Sequence, residues 1–403
     1  MNLSSERIRV LPGDFYKSLS IPTSKSYANR LLILGSVFPG EVILDSMPQA
    51  TDVTNLISSL RKVGLIINEK FGQIVISNSF LQCEVEGQEI VLETGDGGTT
   101  NRFLMAMLAR GQNTYILKPD PLFLKRPIED FLKKISSLGV FVEKGHDFIK
   151  IKGPIKFKGE LLQIDSFFSS QFSSAFALSL ADKDIKILAQ NLEASQKYLS
   201  LTHHLIDKFK QGIRKFSVPI DFSSLSYPLA LAALAGEVRI ENFKEIDPYQ
   251  ADSIFLEILK KMGVEVIKES AYLLVGKSTN LTPLEIDCSE CLDLVPTLAF
   301  LVSHIPGKSI LKNVKGLSYK ESNRILEIQK LLNLFKKESR LNDQYHLEII
   351  GSTQKSPYLE YDAPIDHRMI MTAFLFLKVN NGGIIKNYKA VNKSFPEFFE
   401  LLN

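Results

Sequence analysis

Three cysteines in 403 residues, Cys83, Cys288 and Cys291, are too few for a disulfide framework and point to a reducing, cytoplasmic location. Long hydrophobic runs are missing as well. The longest, such as residues 294–302, fall well short of the roughly 20 residues needed to cross a bilayer, so no membrane partner is expected. Residues 1–16 lack the apolar core of a secretory signal. No dense tract of lysine and arginine occurs, and a net charge of +3 is too small to argue for nucleic acid. No low-complexity linker interrupts the chain. What remains, 45% hydrophobic and 23% charged, is the composition of a soluble globular protein, in a chain long enough for two domains.

The most informative presence is a polar signature that occurs six times, each copy directly ahead of an apolar run. The copies are Ser24-Lys25-Ser26, Gly97-Gly98-Thr99-Thr100, Ser169-Ser170-Gln171, residues 221–226, Asp293 and Asp366-His367-Arg368. They recur at intervals of roughly 50–75 residues, the signature of an internal repeat. Small hydroxyl, carboxyl or glycine residues suit the first turn of a helix, so each cluster is expected to supply N-cap chemistry. The runs that follow, 31–37, 103–108, 172–181, 229–235, 294–302 and 369–377, read as helices buried nearly all round. Their exposed chemistry therefore lies at their starts, where unpaired N–H groups and a partial positive charge receive anions.

Between them lie β-rich stretches at 73–77, 89–92, 113–117, 238–240, 272–275 and 309–311. A second set of helices, at 53–63, 127–138, 199–209, 254–262 and 325–334, is amphipathic. Several of these end in a glycine, at Gly64, Gly139 and Gly263. Six units of strands plus two helices divide into two sets of three, with a hinge where the spacing shortens near Val218-Pro219.

At this point the residues resemble a known family. Pro22-Thr23-Ser24-Lys25-Ser26-Tyr27-Ala28-Asn29-Arg30 is similar to the PGSKSxxNR opening of 5-enolpyruvylshikimate-3-phosphate synthase. There follow, in order, Gly98-Thr99-Thr100-Asn101-Arg102 (GTTxR), Arg126-Pro127-Ile128 (RPI) and Ser169-Ser170-Gln171-Phe172 (SSQF). Asp221-Phe222-Ser223-Ser224 (DxSS), Asp293 (the PD element) and Lys320-Glu321-Ser322-Asn323-Arg324 (KESDR) come next. Asp366-His367-Arg368-Met369 (DHRM) and Lys393-Ser394-Phe395-Pro396 (KSFP) complete the series. Each match is weak alone; nine in order across nearly the whole chain are specific.

The resemblance implies a two-domain inverted α/β barrel, or prism, of six βαβαββ-type repeats, three per domain, with the active site in the interdomain cleft. Residues 1–21 with 219–403 would form one domain and 22–218 the other. The implied reaction transfers the enolpyruvyl group of phosphoenolpyruvate to the 5-hydroxyl of shikimate-3-phosphate and releases phosphate. It is a step of the shikimate pathway toward chorismate and the aromatic amino acids, and the target of glyphosate. No metal and no organic cofactor is implied, and a monomer is expected.

The chemistry calls for a carboxylate base, a proton donor at C3 and cations around the phosphate. By matched position Asp293 is the base, with Glu321 and Lys25 delivering and returning protons. Lys25, Ser26, Arg30, Ser169, Ser170, Gln171, Ser195, Tyr198, Asp293 and Lys320 match positions that hold shikimate-3-phosphate. Lys25, Gly98, Arg102, Arg126, Gln171, Arg324, His367, Arg368 and Lys393 match positions that grip phosphoenolpyruvate. Arginine suits this work because its planar fork meets carboxylate or phosphate in two parallel bonds. Taken without the motifs, an aspartate at a helix start is an ordinary cap, and a Lys-Glu pair is ordinary solvated surface.

Departures from the family pattern are Asp96, which places negative charge near an anionic substrate, and Asn323, expected to deprive Arg324 or Lys320 of an orienting partner. Cys288-Ser289-Glu290-Cys291 has C-x-x-C spacing but no second pair, and reads as coincidence. His203-His204 reads as partly exposed helix surface rather than a metal site. Two alternatives stand beside the synthase: a catalytically silent shikimate-3-phosphate-binding homologue, and the related transferase acting on UDP-N-acetylglucosamine. The latter opens on a Lys-Asn pair instead of Ser24-Lys25-Ser26.

Overall fold

The computed structural model describes residues 6–70, 72–85 and 87–403. They fall into two compact units, Met1–Pro22 with Ile220–Asn403, and Thr23–Pro219. The chain opens with β1 (Arg7–Val10) and β2 (Phe15–Leu19), both part of the discontinuous unit.

The continuous unit follows in three rounds. The first is α1 (Lys25–Val37), β3 (Val42–Asp45), α2 (Thr51–Lys62), β4 (Ile67–Lys70) and β5 (Gln73–Ile76). The second is β6 (Glu89–Gly95), α3 (Gly98–Leu108), β7 (Thr114–Pro119), a short α4 (Pro121–Leu124), α5 (Glu129–Ser137), β8 (Phe141–Lys144) and β9 (Ile149–Lys152). The third is β10 (Leu161–Asp165), α6 (Gln171–Ser179), β11 (Lys186–Gln190), α7 (Gln196–Lys210) and β12 (Lys215–Ser217).

The discontinuous unit then repeats the scheme with α8 (Phe222–Ala235), β13 (Gly236–Ile240), α9 (Phe255–Lys261), β14 (Val266–Lys268) and β15 (Leu273–Gly276). Next come β16 (Glu285–Asp287), α10 (Val295–Ser303), β17 (Gly307–Lys312), α11 (Arg324–Leu334), β18 (Glu338–Leu341) and β19 (Leu347–Gly351). It finishes with β20 (Leu359–Tyr361), α12 (His367–Val379), β21 (Gly383–Lys386) and α13 (Phe398–Leu402).

The six apolar helices start at the six polar clusters, and nearly all their residues are buried. Within the continuous unit α1, α3 and α6 pack on one another, and within the other α8, α10 and α12 do the same. Sheets cover these trios: α3 also meets β6, β7 and β9, and α10 meets β17 and β19. This inside-out arrangement explains why the helices carry no polar face, since both neighbours and sheet are apolar.

Four of the six sheets have four strands, in the orders β12-β3-β5-β4, β6-β7-β9-β8, β2-β13-β15-β14 and β16-β17-β19-β18. Each combines one parallel pair with an antiparallel meander, for example β6 with β7, then β9 and β8. The remaining sheet of each unit is smaller than the expected βαβαββ repeat: β10-β11 alone, and β1-β21-β20. The cause is strand exchange. The strand after α7 leaves its own repeat to pair with β3, and of the two chain-start strands only β1 joins β21, while β2 pairs with β13 in another sheet.

Helix ends follow the expected chemistry more closely than helix starts. Gly64 and Gly263 take positive φ angles of 99° and 90° after α2 and α9. The next N–H then donates back across the last turn, Leu65 to the Leu60 carbonyl at 3.1 Å and Val264 to the Leu259 carbonyl at 2.9 Å. Gly139 takes a positive φ of 82° after α5, its own N–H donating to the Ser136 carbonyl at 3.0 Å. At the starts, only Asp221 and Asp366 of the six clusters cap with a side chain, accepting from the N–H groups of Ser224 and Arg368. Ser24, Gly97 and Ser170 sit at the cap position without a side-chain cap bond, and Asp293 lies in the 3-10 turn Leu292–Leu294 ahead of α10. Five of the six clusters thus occupy the cap position as expected, two of them closing it with the cap residue's own side chain, and Asp293 is the exception.

Gly236 tests the strand exchange. It pairs with Phe15, and a Cβ there would run into the Phe15 carbonyl of β2. Gly236→Ala is expected to cost about 3 kcal/mol through this overpacking, read as a lower urea midpoint.

Candidate active site

In the discontinuous unit four cations and three carboxylates form one ion-pair network. Its centre is Arg324, the first residue of α11 and only 1% exposed. Its Nε donates to Asp366 Oδ2 at 2.8 Å and its Nη2 to Glu321 Oε2 at 2.7 Å. Its Nη1 donates to Asp293 Oδ1 at 3.0 Å. Asp293 also receives Arg368 Nη2 at 3.0 Å and Lys320 Nζ at 3.3 Å. Lys393 Nζ reaches Glu321 Oε1 at 3.3 Å. Ser322 adds a hydroxyl bond to Asp366 Oδ2 at 2.9 Å.

This geometry comes from local structure. Asp366 caps α12, which fixes the direction of its carboxylate, and the next two residues are His367 and Arg368. Asp293 escapes a capping role because the 3-10 turn turns its side chain toward the cations instead. Burial would raise the Asp293 pKa, but Arg368, Lys320 and Arg324 outweigh it and hold the carboxyl far below the usual range. Burial would likewise strip the proton from Arg324, yet Asp366, Glu321 and Asp293 push its pKa above the ordinary value. His367 is buried, with Nδ1 3.9 Å from Asp366 Oδ1.

Asn323 is not the lost partner that the sequence suggested. Its side chain caps α11, accepting from Leu326 N–H at 3.4 Å, while carboxylates from elsewhere orient Arg324.

In the continuous unit the starts of α1, α3 and α6 carry a second cluster. Lys25 Nζ pairs with Asp52 Oδ2 at 2.8 Å, and the Asp52 carbonyl accepts from Thr100 Oγ1 at 2.8 Å. Arg102, 2% exposed, donates from Nη1 to Gln171 Oε1 at 2.6 Å and lies 5.1 Å from the Phe172 ring centre. A Cβ on Gly98 would meet Arg126 Nη1 at 2.8 Å and Gln171 Oε1 at 3.0 Å, so these three residues converge. Asp96 sits half-buried just before the α3 start.

Arg30 lies in α1, five residues beyond Lys25. It is 1% exposed and donates to Thr202 Oγ1 at 2.8 Å and to the carbonyls of Ser26 at 2.8 Å and Tyr198 at 3.1 Å. Burial, against the pull of Tyr198 and Tyr27, lowers its pKa to about 10. Arg30 thus ties the α1 start to α7, where Ser195 occupies the cap position in a left-handed conformation. Ser169 Oγ accepts from Gln171 N–H at 3.2 Å, and Ser170 lies buried at the α6 cap.

Sequence reasoning missed Asp52 and the role of Asp366 as the partner of Arg324. Both contacts join residues distant in the chain, separated by 27 and 42 positions. The distractors resolve simply. Cys288 and Cys291 are buried, and the bond to Cys291, then burial, pushes the Cys288 thiol well up, away from the reactive thiolate. His203 is exposed and His204 half-buried on α7. Among the described residues no group of three or more His, Cys, Asp or Glu side chains could hold a metal ion, and no helix is long and apolar enough to cross a membrane.

Comparison with solved structures gives the class. An EPSP synthase from Acinetobacter baumannii superposes with a TM-score of 0.78 at 21% identity, covering 98% of this chain and 97% of that one. The enolpyruvyl transferase NikO from Streptomyces tendae gives 0.75 at 12% identity, covering 99% and 97%. The fold is the two-domain α/β fold of the enolpyruvyl transferases. A family model described as EPSP synthase (3-phosphoshikimate 1-carboxyvinyltransferase) matches residues 12–402. A 3-phosphoshikimate 1-carboxyvinyltransferase of Pyrococcus abyssi is 31% identical over 94% of this chain and 92% of its own length. One of Vibrio campbellii is 27% identical over 100% and 98%. The chain belongs to the EPSP synthase family.

Arg324 depends on Asp366, whose side chain is fully buried. Asp366→Asn leaves a buried cation short of a countercharge and is expected to cost about 3 kcal/mol in urea unfolding. Asn323→Ala should cost only its cap, about 1 kcal/mol.

Proposed function

We propose that the chain is a 3-phosphoshikimate 1-carboxyvinyltransferase, an enzyme that moves the enolpyruvyl group of phosphoenolpyruvate onto the 5-hydroxyl of shikimate-3-phosphate with release of phosphate. The observation that carries the reading is the network of Lys320, Arg324, Arg368 and Lys393 around Asp293 and Glu321. It pairs a nest of cations for a phosphate and a carboxylate with the acid–base groups the transfer needs. The product serves the shikimate pathway, and the two compact units serve as the two domains.

In this reading Arg324, Arg368 and Lys393 receive phosphoenolpyruvate, joined by Lys25, Gly98, Arg102, Arg126, Gln171 and His367. Shikimate-3-phosphate is held by Ser26, Ser169, Ser170, Ser195, Tyr198 and Lys320, with Lys25, Gln171 and Asp293. Arg30 serves through the Ser26 and Tyr198 carbonyls it grips.

Asp293 takes the hydroxyl proton as C–O bond formation begins. With three cations on it Asp293 is a weak base. An anionic substrate that draws Arg324 and Arg368 toward itself strengthens that base at the moment of need. Glu321, shared between Arg324 and Lys393, and Lys25, paired with Asp52, carry protons to and from C3. A monomer in a reducing cytoplasm is the setting expected from the low cysteine content and the family pattern.

Phosphate release by the purified protein tests the reading. It should require both substrates and fall by about 1,000-fold or more in Asp293→Asn, a loss of ~4 kcal/mol of transition-state stabilisation. Shikimate-3-phosphate binding without release would instead favour a silent homologue. At Gly98 an added methyl displaces Arg126 and Gln171. Gly98→Ala is therefore expected to raise the KM for phosphoenolpyruvate about tenfold and weaken inhibition by glyphosate, both read from steady-state kinetics.

A further inference from the structure

Every carboxylate of the Arg324 network meets a cation, but one carboxyl beside it does not. Asp252 lies 2% exposed in the 3-10 turn Ala251–Ile254, which packs on α8. Its Oδ2 accepts from Ser223 Oγ in the first turn of α8. Its Oδ1 has no hydrogen-bond partner, and no lysine or arginine pairs with it, among the described residues. α8 in turn packs against the turn that carries Asp293 and against α12, whose first turn carries Arg368.

We propose that Asp252 is a positioning residue of this site, a carboxyl that keeps its proton so that Arg368 and its neighbours retain positive charge for the phosphoenolpyruvate anion. The proposal rests on the synthase reading above. A buried carboxylate with one hydroxyl donor and no cation is costly, and protonation removes the cost. The charged groups that act on it are Asp293 from the 3-10 turn, Arg368 from α12 and Asp221 from the α8 start. Burial first, then the Asp293 carboxylate, push Asp252 up to about 7, with Arg368 and the Ser223 hydroxyl opposing.

The consequence follows from the charge count. With Asp252 neutral, four cations face three carboxylates, and the site carries net positive charge. Once Asp252 ionises the two signs balance, and the attraction for an anion weakens. Affinity for phosphoenolpyruvate should therefore fall as pH rises through the Asp252 titration, with kcat little affected.

Steady-state kinetics of the full chain from pH 6 to 9, at saturating shikimate-3-phosphate, test this with Asp252→Asn, which mimics the protonated form. Wild type should lose about tenfold in kcat/KM for phosphoenolpyruvate between pH 7 and 8.5 relative to the variant, through KM. Ser223→Ala removes the one donor to the ionised form and should move the falling limb to higher pH. Parallel profiles for wild type and Asp252→Asn would overturn the proposal.

Absence of turnover in wild type would remove the synthase reading instead, and unfolding by urea then decides the carboxyl alone. The folded-state pKa lies above the unfolded value of roughly 4, so the folded chain holds the extra proton in between. Wild type should therefore lose stability relative to Asp252→Asn as pH rises from about 4 to 7, with no further change above. A pH-independent difference would sink the idea.

Discussion

A guanidinium buried to 1% exposure must find acceptors for its donors where it lies, and Arg324 sets that demand for the discontinuous unit. Its five N–H donors point in fixed directions, so the carboxylates that answer them are fixed as well. Asp366 can answer only from the cap of α12, Glu321 only from the segment before α11, and Asp293 only from the turn before α10. The ion pairs thereby hold three helix starts in register around one charge. Replacing such a network with apolar side chains would often leave a fold as stable, so its value lies in geometry more than in stabilisation.

At Arg102 and Arg30 the continuous unit meets the same problem with neutral acceptors. Arg102 rests on Gln171, the Pro127 carbonyl and aromatic rings, and Arg30 on two carbonyls and the Thr202 hydroxyl. The same unit also uses carboxylates, pairing Lys25 with Asp52 at 2.8 Å and Arg110 with Asp182 at 2.7 Å.

The fold was legible because its signals are local. A polar cluster ahead of an apolar run marks each inner helix, and a glycine in the left-handed region marks several outer-helix ends. The truncated third sheets were not legible, since β12 and β2 pair instead with β3 and β13, far off in sequence. The candidate site shows the same divide. Lys320, Glu321 and Arg324 stand together in one motif and were found together. Asp52, Asp252 and the pairing of Asp366 with Arg324 depend on contacts between distant segments that no spacing announces. Asn323 was misread for a related reason: beside Arg324 in sequence, it serves the helix and not the arginine.

Strand exchange at the chain ends also gives the molecule a history. Residues 23–219 close on themselves, because β12 returns to β3 and the Ser24 N–H donates to the Pro219 carbonyl at 2.7 Å. That half can finish folding while the ribosome is still making the rest. The described residues before it, 6–22, cannot. β2 waits for β13 near residue 236, and β1 waits for β21 near residue 383, the last strand among the described residues. The two strands thus gain their places in two steps, β2 with β13 and β1 only later with β21.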